Sequence, residues 1–291
     1  MMSYWRKKIC KITTILVLLL MLSEGGIRAA AKGCDGICPF SGFKGITPAV
    51  TVTPPAATAS SAGSTLSRRA FLQLDAGTIL QNTQIDHTKS SRYFVVCRIH
   101  KKDAVYQRIL GKSYVPNKNI SYKDLRYIKV LHYNYKHQIQ VGELLVNQRI
   151  AARTKQIFYH LFQKEYEIRS MYLVEKYWVK NHPEQTDTAS CRAGNTSGFF
   201  YRTMTGGSRL SNHAYGLAID INTRENPYAS YKNGRWNCPV TQSAKYLTRK
   251  PKHHMITKKD PCYRLFTRAG FQWGGNWTNP KDYQHFEYKK N

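Results

Sequence analysis

The chain has 291 residues, of which 42% are hydrophobic, and it carries a formal net charge of +28. A positive field of this size attracts polyanions, but no recognised nucleic-acid-binding motif interleaves aromatic side chains with the basic residues. We therefore expect no nucleic-acid partner and assign much of the charge to a solvated surface. From about residue 91 onward, aromatic and β-branched residues are frequent enough for the core of one domain of about 200 residues.

The first 31 residues have the pattern of a secretory signal peptide. Basic residues within positions 6–11 precede an apolar run over 12–22, and three alanines follow at 29–31. The run is shorter than the ~20 residues that a bilayer-spanning helix needs, whereas its length and basic flank fit a signal peptide. We therefore expect an exported protein, with an uncleaved, membrane-tethered form as the alternative.

An even number of cysteines remains outside this predicted signal. In an exported protein that number predicts disulfides, although the sequence does not determine their pairing. Cys238 with Cys262 is the favoured pair, because both flank a basic insertion, and Cys34 with Cys38 would close a small local loop. Zinc binding by cysteines and the histidines at 253–254 is disfavoured, because paired C-x-x-C spacing is absent.

Composition divides the chain into four parts. Residues 1–31 are the predicted signal, and residues 32–66 join a short cysteine-bearing segment to a linker rich in Thr, Pro, Ala and Ser. Residues 67–119 are basic and show no clear pattern of elements. Residues 120–291 contain the periodic patterns and the motifs, and we expect them to form the main domain.

The periodicity of residues 120–291 predicts an α+β fold. Two strands joined by a polar turn are expected over 125–134 and 138–146. An amphipathic helix over 147–164, a further strand over 168–174 and a second helix over 260–269 should follow. The last helix is expected to close at Gly270, because glycine is favoured just after helix C-termini. Helices packed on a mainly antiparallel sheet are the expected architecture.

The segment 211–221 (SNHAYGLAIDI) contains half of a candidate metal site. Its second part alternates as a buried strand does, so that Asp220 lies on the face opposite to its isoleucine neighbours. Gly216 permits the turn that brings His213 back over the end of the strand. These two side chains are therefore placed to bind one ion.

The segment 282–288 (DYQHFEY) contains the other half. Phe286 is expected to face the core, which leaves His285 and Glu287 on the opposite face of a second strand. Two adjacent strands would then present His285 together with the histidine and aspartate of the first segment. Two imidazoles, one carboxylate and an open fourth position are the requirements of a catalytic zinc site, and we expect Zn²⁺ bound on the sheet.

A spare carboxylate is expected beside the ion as the general base. Asp282 is favoured, because it enters the strand where its side chain can lie over the open coordination position. Glu287 is the alternative base, although an orienting contact to a metal ligand suits it better.

Aromatic residues near the two segments have different expected roles. Trp273 is expected to cover the core beside a glycine turn, whereas Trp277 is expected to line the cleft and shield the site from bulk water. Tyr215, next to the predicted turn at Gly216, fits either role and is kept as a candidate substrate contact.

The segment 211–222 (SNHAYGLAIDIN) resembles the S-x-H-x-x-G-x-A-x-D signature of the zinc D-alanyl-D-alanine carboxypeptidase family, which includes L-alanyl-D-glutamate endopeptidases of bacteria and phages. The likeness is strong from residue 191 to residue 288 and extends weakly upstream to about residue 120. Further blocks resemble the family in the same order: NTSGFFYR (195–202), ENPY (225–228), GFQWGGNW (270–277) and DYQHFEY (282–288).

The resemblance implies roles for single residues. It implies that His213, Asp220 and His285 bind zinc and that Asp282 is the general base. Arg202 matches the arginine that stabilises negative charge on the substrate. Ser211 lies where a hydroxyl contacts the substrate.

The same resemblance implies an exported zinc metallopeptidase that hydrolyses peptide bonds in peptidoglycan stem peptides, as a D-alanyl-D-alanine carboxypeptidase does. Carboxypeptidase members usually have glutamate as the base, so Asp282 resembles the endopeptidase branch. L-alanyl-D-glutamate endopeptidase is therefore one alternative, and a non-catalytic wall-binding protein is another. We expect a monomer associated with the cell wall, whose charge would attract anionic wall polymers or anionic lipid.

Overall fold

The computed structural model describes residues 65–250 and 252–289. The predicted signal peptide, most of the predicted linker, and Cys34 and Cys38 lie outside the described residues. Among the helices that are described, none has the length and apolar character needed to cross a bilayer.

Five α-helices and twelve strands make up the regular structure of the described residues. The helices are α1 (Arg68–Gln73), α2 (Ala104–Ile109), α3 (Gln148–Gln163), α4 (Thr186–Ala193) and α5 (Pro261–Arg268). The strands are β1 (Ile79–Leu80), β2 (Val95–Arg98), β3 (Leu125–Tyr133), β4 (Ile139–Asn147), β5 (Ser170–Met171), β6 (Asn195–Thr196), β7 (Ala218–Asp220), β8 (Tyr228–Lys232), β9 (Arg235–Asn237), β10 (Phe271–Trp273), β11 (Lys281–Asp282) and β12 (His285–Tyr288).

A long hairpin forms the centre of the largest sheet. Strands β3 and β4 pair antiparallel along their whole length, from Leu125 opposite Asn147 to Tyr133 opposite Ile139. Strands β1 and β2 extend the sheet in the order β1-β4-β3-β2. Every residue of the two central strands except Arg126 is buried. The predicted hairpin is confirmed.

Helix α3 packs on this sheet and confirms the predicted amphipathic helix. The Asn147 side chain caps its N-terminus by accepting a hydrogen bond from the backbone N–H of Arg149 (3.0 Å). Burial of each large apolar side chain contributes roughly 1.5–3 kcal/mol to folding. The buried face consists of Ile150, Ala151, Thr154, Ile157, Phe158, Leu161 and Phe162.

The basic segment 67–119 contributes α1, α2, β1 and β2 to the same hydrophobic core. Phe71, Tyr93 and Ile109 are fully buried there. The Tyr93 hydroxyl also donates a hydrogen bond to the backbone carbonyl of Leu66 (2.8 Å). These elements are too short to give a clear periodic pattern. The predicted domain boundaries stay predictions.

A second antiparallel sheet, in the order β10-β12-β7, contains both halves of the predicted metal site. Helix α5 packs against it, and the Phe266 ring stacks on Phe286 with centroids 4.3 Å apart. Gly270 follows the helix with a φ of +90°, which confirms the predicted helix end. Helices on mainly antiparallel sheets confirm the predicted α+β fold.

The predicted strand over 168–174 is mostly wrong. Only Ser170–Met171 forms a strand, and it pairs parallel with β6. Beyond it, side chains accept the backbone hydrogen bonds: the Tyr172 N–H donates to Asn195 Oδ1 (3.0 Å), and the Leu173 N–H donates to a carboxylate oxygen of Glu143 (3.4 Å). The chain then forms a 3-10 turn instead of a longer strand.

The predicted pairing of Cys238 with Cys262 is also wrong. Both are free thiols, as is Cys191, so Cys238 and Cys262 form no disulfide with each other. Cys262 lies in the first turn of α5 and is fully buried in the core. Cys238 lies apart from that core, at the lining of a cleft, where its thiol donates to the Val240 carbonyl (3.2 Å).

Candidate metal and catalytic site

A short 3-10 turn positions His213. The turn spans Asn212–Tyr215, and the Ser211 hydroxyl caps it by accepting a hydrogen bond from the His213 N–H (3.2 Å). It ends at Gly216, whose φ is +64°. A Cβ atom at this glycine would lie 2.7 Å from the backbone nitrogen of Asn147, so no larger residue fits without a shift. The chain passes directly from this turn into β7.

The pairing of β7 with β12 brings the other two candidate ligands together. His285 lies directly opposite Asp220 in the antiparallel register, and directly opposed residues project from the same face of a sheet. The Nδ1 atom of His285 is 3.0 Å from Oδ1 of Asp220. The Nε2 atom of His213 is 3.1 Å from that nitrogen and 3.3 Å from that oxygen. All three side chains are buried.

Each of these three side chains has a second polar atom that points away from the other two residues, and a neighbouring group contacts it. Nδ1 of His213 is 2.6 Å from the Gly198 carbonyl, so this nitrogen carries the proton and Nε2 presents a lone pair. Nε2 of His285 is 3.1 Å from the Glu287 carboxylate. Oδ2 of Asp220 accepts a hydrogen bond from Gln284 (3.1 Å). Such contacts orient metal-binding imidazoles and carboxylates.

The three atoms that face one another, here called the inner atoms, are Nε2 of His213, Nδ1 of His285 and Oδ1 of Asp220. They form a site for positive charge. Burial lowers the pKa of His285, but its hydrogen bonds to Asp220 and Glu287 outweigh burial and raise it to about 10. Burial raises the pKa of Asp220, yet His213 and His285 hold it below its ordinary value. A proton therefore occupies this point readily, and a cation competes with that proton for the same lone pairs.

The geometry of the inner atoms fits Zn²⁺. With zinc–nitrogen distances of about 2.0 Å, tetrahedral ligand atoms lie about 3.3 Å apart, close to the separations of 3.0, 3.1 and 3.3 Å found here. Two imidazoles with one carboxylate are a known donor set of catalytic zinc sites, in which the fourth position is left for water. His213, Asp220 and His285 would hold the ion.

Asp282 and Glu287, the two candidates for the base, have different surroundings. Oδ1 of Asp282 is buried and has no hydrogen-bond partner among the described residues. Burial raises the pKa of Asp282 to about 8, although the charge of His285 acts to lower it. Glu287 is engaged by His285 and by Asn212, whose amide donates to it (2.6 Å). Although burial raises the pKa of Glu287, these hydrogen bonds lower it below its ordinary value. The geometry favours Asp282 as proton acceptor and Glu287 as the group that orients His285.

Arg202 is held at the cleft by a residue that the sequence interpretation missed. Its Nη2 atom forms an ion pair with Asp187 (2.9 Å), and its Nη1 atom donates to the Thr203 carbonyl (3.0 Å). Burial lowers the pKa of Arg202, but the charges of Asp187 and Asp220 raise it above its ordinary value. Asp187 lies in the first turn of α4, before the family-like blocks that begin at residue 195, and no sequence signal connects it to Arg202.

A cleft of about 650 Å³ contains the candidate ligands, Asp282 and Arg202. Ser211 and Trp277 also line it, and the Trp277 ring lies 5.4 Å from the His285 ring. Tyr215 is not among the lining residues. It packs against the hydrophobic core, and the Asn147 amide donates to its carbonyl (3.0 Å), so the structure does not bring Tyr215 to the cleft. Further lining residues come from β8 and the insertion that follows β9: Tyr228, Cys238, Pro239, Val240 and Ser243.

Trp273 has the predicted core position. It is 5% exposed, and its indole N–H donates to the Tyr283 carbonyl (2.9 Å).

These features have the character of a hydrolytic metal site on an α+β fold. A model of the D-alanyl-D-alanine carboxypeptidase family matches residues 205–288, a range that includes both halves of the site. The match confirms the resemblance to that family of zinc peptidases and supports a metallopeptidase of this kind. Searches of curated proteins and of solved structures found no match to the chain.

Proposed function

We propose that the protein is a zinc metallopeptidase that hydrolyses a peptide bond in the stem peptides of peptidoglycan. The observation that carries this proposal is the convergence of three lone-pair-bearing atoms, from His213, Asp220 and His285, within 3.0 to 3.3 Å of one another. The family match over both segments supports the substrate class.

The residues around the ion divide the chemistry between them. Bound zinc supplies electrophilic assistance and makes water more acidic. The buried and unpaired Oδ1 atom of Asp282 accepts the proton of the attacking water and returns it to the leaving amine. The guanidinium of Arg202 faces the negative charge that develops on the scissile carbonyl oxygen. Trp277 shields the site from bulk water.

Within this class we favour D-alanyl-D-alanine carboxypeptidase activity, which is the description of the matching family. L-alanyl-D-glutamate endopeptidase activity is the second candidate, because the base is Asp282 and a shorter carboxylate resembles that branch. An exopeptidase must recognise a free carboxylate, whereas an endopeptidase need not.

Digestion of purified peptidoglycan, with the released fragments identified by mass, tests the proposal. Release of D-alanine alone supports the carboxypeptidase, and equal cleavage of a substrate with an amidated C-terminus contradicts it. Fragments cut between L-alanine and D-glutamate support the endopeptidase. The His213→Ala/His285→Ala protein is the control, and its retention of wild-type activity would contradict the metal site.

We further propose that the protein is exported and is retained at the wall by the basic charge that remains after residues 1–31 are removed. Attraction between a basic surface and anionic polymers is screened by salt over a Debye length of about 8 Å at physiological ionic strength. Binding to isolated cell walls should therefore weaken as salt rises. Binding that does not change between low and high salt would contradict retention by charge.

A further inference from the structure

A second group of metal-binding side chains lies outside the cleft. Glu167, His253 and His254 each offer one ligand atom, and these atoms lie within 4.8 Å of one another. Nε2 of His254 is 2.7 Å from Oε2 of Glu167. A third imidazole contacts the same carboxylate, because Nδ1 of His137 is 3.2 Å from Oε1 of Glu167. These four residues are called the histidine cluster below.

The charge of the histidine cluster favours a cation. In the described part of the chain, the ion pairs of Glu167 are made with His137 and His254, and none is made with a lysine or arginine. A second carboxylate, Glu165, lies 3.2 Å from the other ring nitrogen of His137. Although the chain has 45 lysines and arginines, the described ion pairs of these carboxylates are made with imidazoles and not with a lysine or arginine. Imidazole and carboxylate donors together suit zinc and similar divalent transition metals.

The ring of His254 is held in place before any ion binds. It stacks on Tyr135 with centroids 3.5 Å apart and an angle of 12° between the planes. The Tyr135 hydroxyl donates to Glu225 (3.0 Å), and Asn226 donates to the His254 carbonyl (2.9 Å). Ligands that are already oriented lose less entropy on binding.

The histidine cluster joins separate parts of the fold. His137 lies in the turn between β3 and β4, and Glu167 lies between α3 and β5. His253 and His254 belong to the insertion between β9 and α5, whose earlier residues Val240 and Ser243 line the cleft. An ion at the cluster would therefore hold this wall of the cleft to the main sheet.

We propose that Glu167, His253 and His254, with His137 as a further donor, bind a second divalent cation of the zinc class. This ion has a structural role and is separate from the candidate catalytic ion. It fastens the insertion that forms one wall of the cleft.

Zinc content tests the proposal directly. The full chain is stripped with a chelator, dialysed against Zn²⁺ and analysed for bound metal. The His253→Ala/His254→Ala protein should bind one equivalent less than wild type, and so should the His213→Ala/His285→Ala protein. His87→Ala/His160→Ala, which changes two histidines outside both groups, should bind as much as wild type.

The outcomes separate this proposal from the proposed function. If the His253→Ala/His254→Ala protein binds as much zinc as wild type, the second site is refuted and the catalytic site is unaffected. If the loss occurs only in that protein and not in the His213→Ala/His285→Ala protein, the second site stands and the proposed function fails. Circular dichroism of each variant shows whether it has folded.

Proteolysis gives a second readout without catalytic activity. In the His213→Ala/His285→Ala protein, Zn²⁺ at ten times its dissociation constant should slow tryptic cleavage after the exposed Lys252 by about tenfold, because cleavage follows the open state of the insertion. Adding His253→Ala/His254→Ala should abolish this protection. Equal protection in both proteins would overturn the proposal.

Discussion

The carboxyl groups of Asp282 and Glu287 lie near the same imidazole but have different hydrogen-bonding states. Oδ1 of Asp282 is buried without a partner, whereas the Glu287 carboxylate accepts from Asn212 and contacts His285. A proton acceptor has to be free to receive a proton, and a group that orients a ligand has to be engaged. Their substitutions should therefore affect different measurable quantities.

We expect Asp282→Asn to lower kcat by a factor of about 10²–10⁴, the usual contribution of a general base, with zinc content unchanged. Glu287→Gln should instead weaken zinc binding by roughly 10–100-fold and keep most of kcat at saturating zinc. Steady-state kinetics across a zinc titration separates the two effects. Near-normal turnover of Asp282→Asn together with an inactive Glu287→Gln would show that Glu287 is the base and that Asp282 is not.

Arg202 and Asp187 form a pair whose energetic coupling can be measured. Arg202→Ala should lower kcat by about 10²–10³, as the loss of one contact to an oxyanion does. Asp187→Asn should lower kcat by less, because the guanidinium stays but loses the carboxylate that positions it. Residues that act as a unit are not additive, so the double variant should resemble Arg202→Ala alone. A full additional loss in the double variant would show that Asp187 acts independently of Arg202.

Among the elements, the turn before β7 requires a glycine for two separate reasons. Gly216 combines a φ of +64° with a Cβ position 2.7 Å from the Asn147 nitrogen. Asn147 also caps α3 and closes β4. The turn that positions His213 is therefore packed against the junction of the main sheet and its helix.

We expect Gly216→Ala to reduce the free energy of unfolding by more than about 1 kcal/mol, because it adds a steric clash to the cost of a positive φ. Gly206→Ala is the matched control, since Gly206 has a φ of +71° and no atom within 4 Å of its Cβ position. Urea unfolding of both variants isolates the contribution of the contact. An equal loss in the two proteins would show that the contact does not matter.

For the molecule as a whole, the pH dependence of folding stability reports on buried titratable groups. Burial lowers the pKa of His132 from 6.5 to about 4, and no described residue forms a hydrogen bond with its buried Nε2 atom. The unfolded chain therefore binds this proton at higher pH than the folded chain, so that stability is lost as pH falls from 6.5 towards 4. Burial raises the pKa of Glu175 to about 7, so its contribution to stability changes with pH in the opposite direction.

We expect wild type to lose about 2 kcal/mol more stability than His132→Leu between pH 7 and pH 5, which follows from the two pKa values of His132. Comparing the two proteins removes the contribution of Glu175, which both share. Urea unfolding at each pH measures the difference. If the variant and wild type change equally with pH, the imidazole is not neutral and buried as described.

The sequence by itself determined the features that depend on short-range periodicity and local chemistry. The two strand-like segments 125–134 and 138–146, separated by a short polar turn, specified the hairpin. The apolar spacing of 147–164 specified α3, because that pattern gives a helix one face to bury. The segments 211–221 and 282–288 also specified which residue types could bind an ion.

Tertiary structure decided what depends on contacts between distant segments. The register that sets His285 opposite Asp220 and the ion pair of Asp187 with Arg202 have no local signature. The same is true of the side-chain oxygens of Asn195 and Glu143, which accept the backbone hydrogen bonds that follow β5. It is also true of the free thiol of Cys262 and of the histidine cluster. These features arise because packing selects one pairing among many that the local patterns permit, and burial then sets the charge of each group.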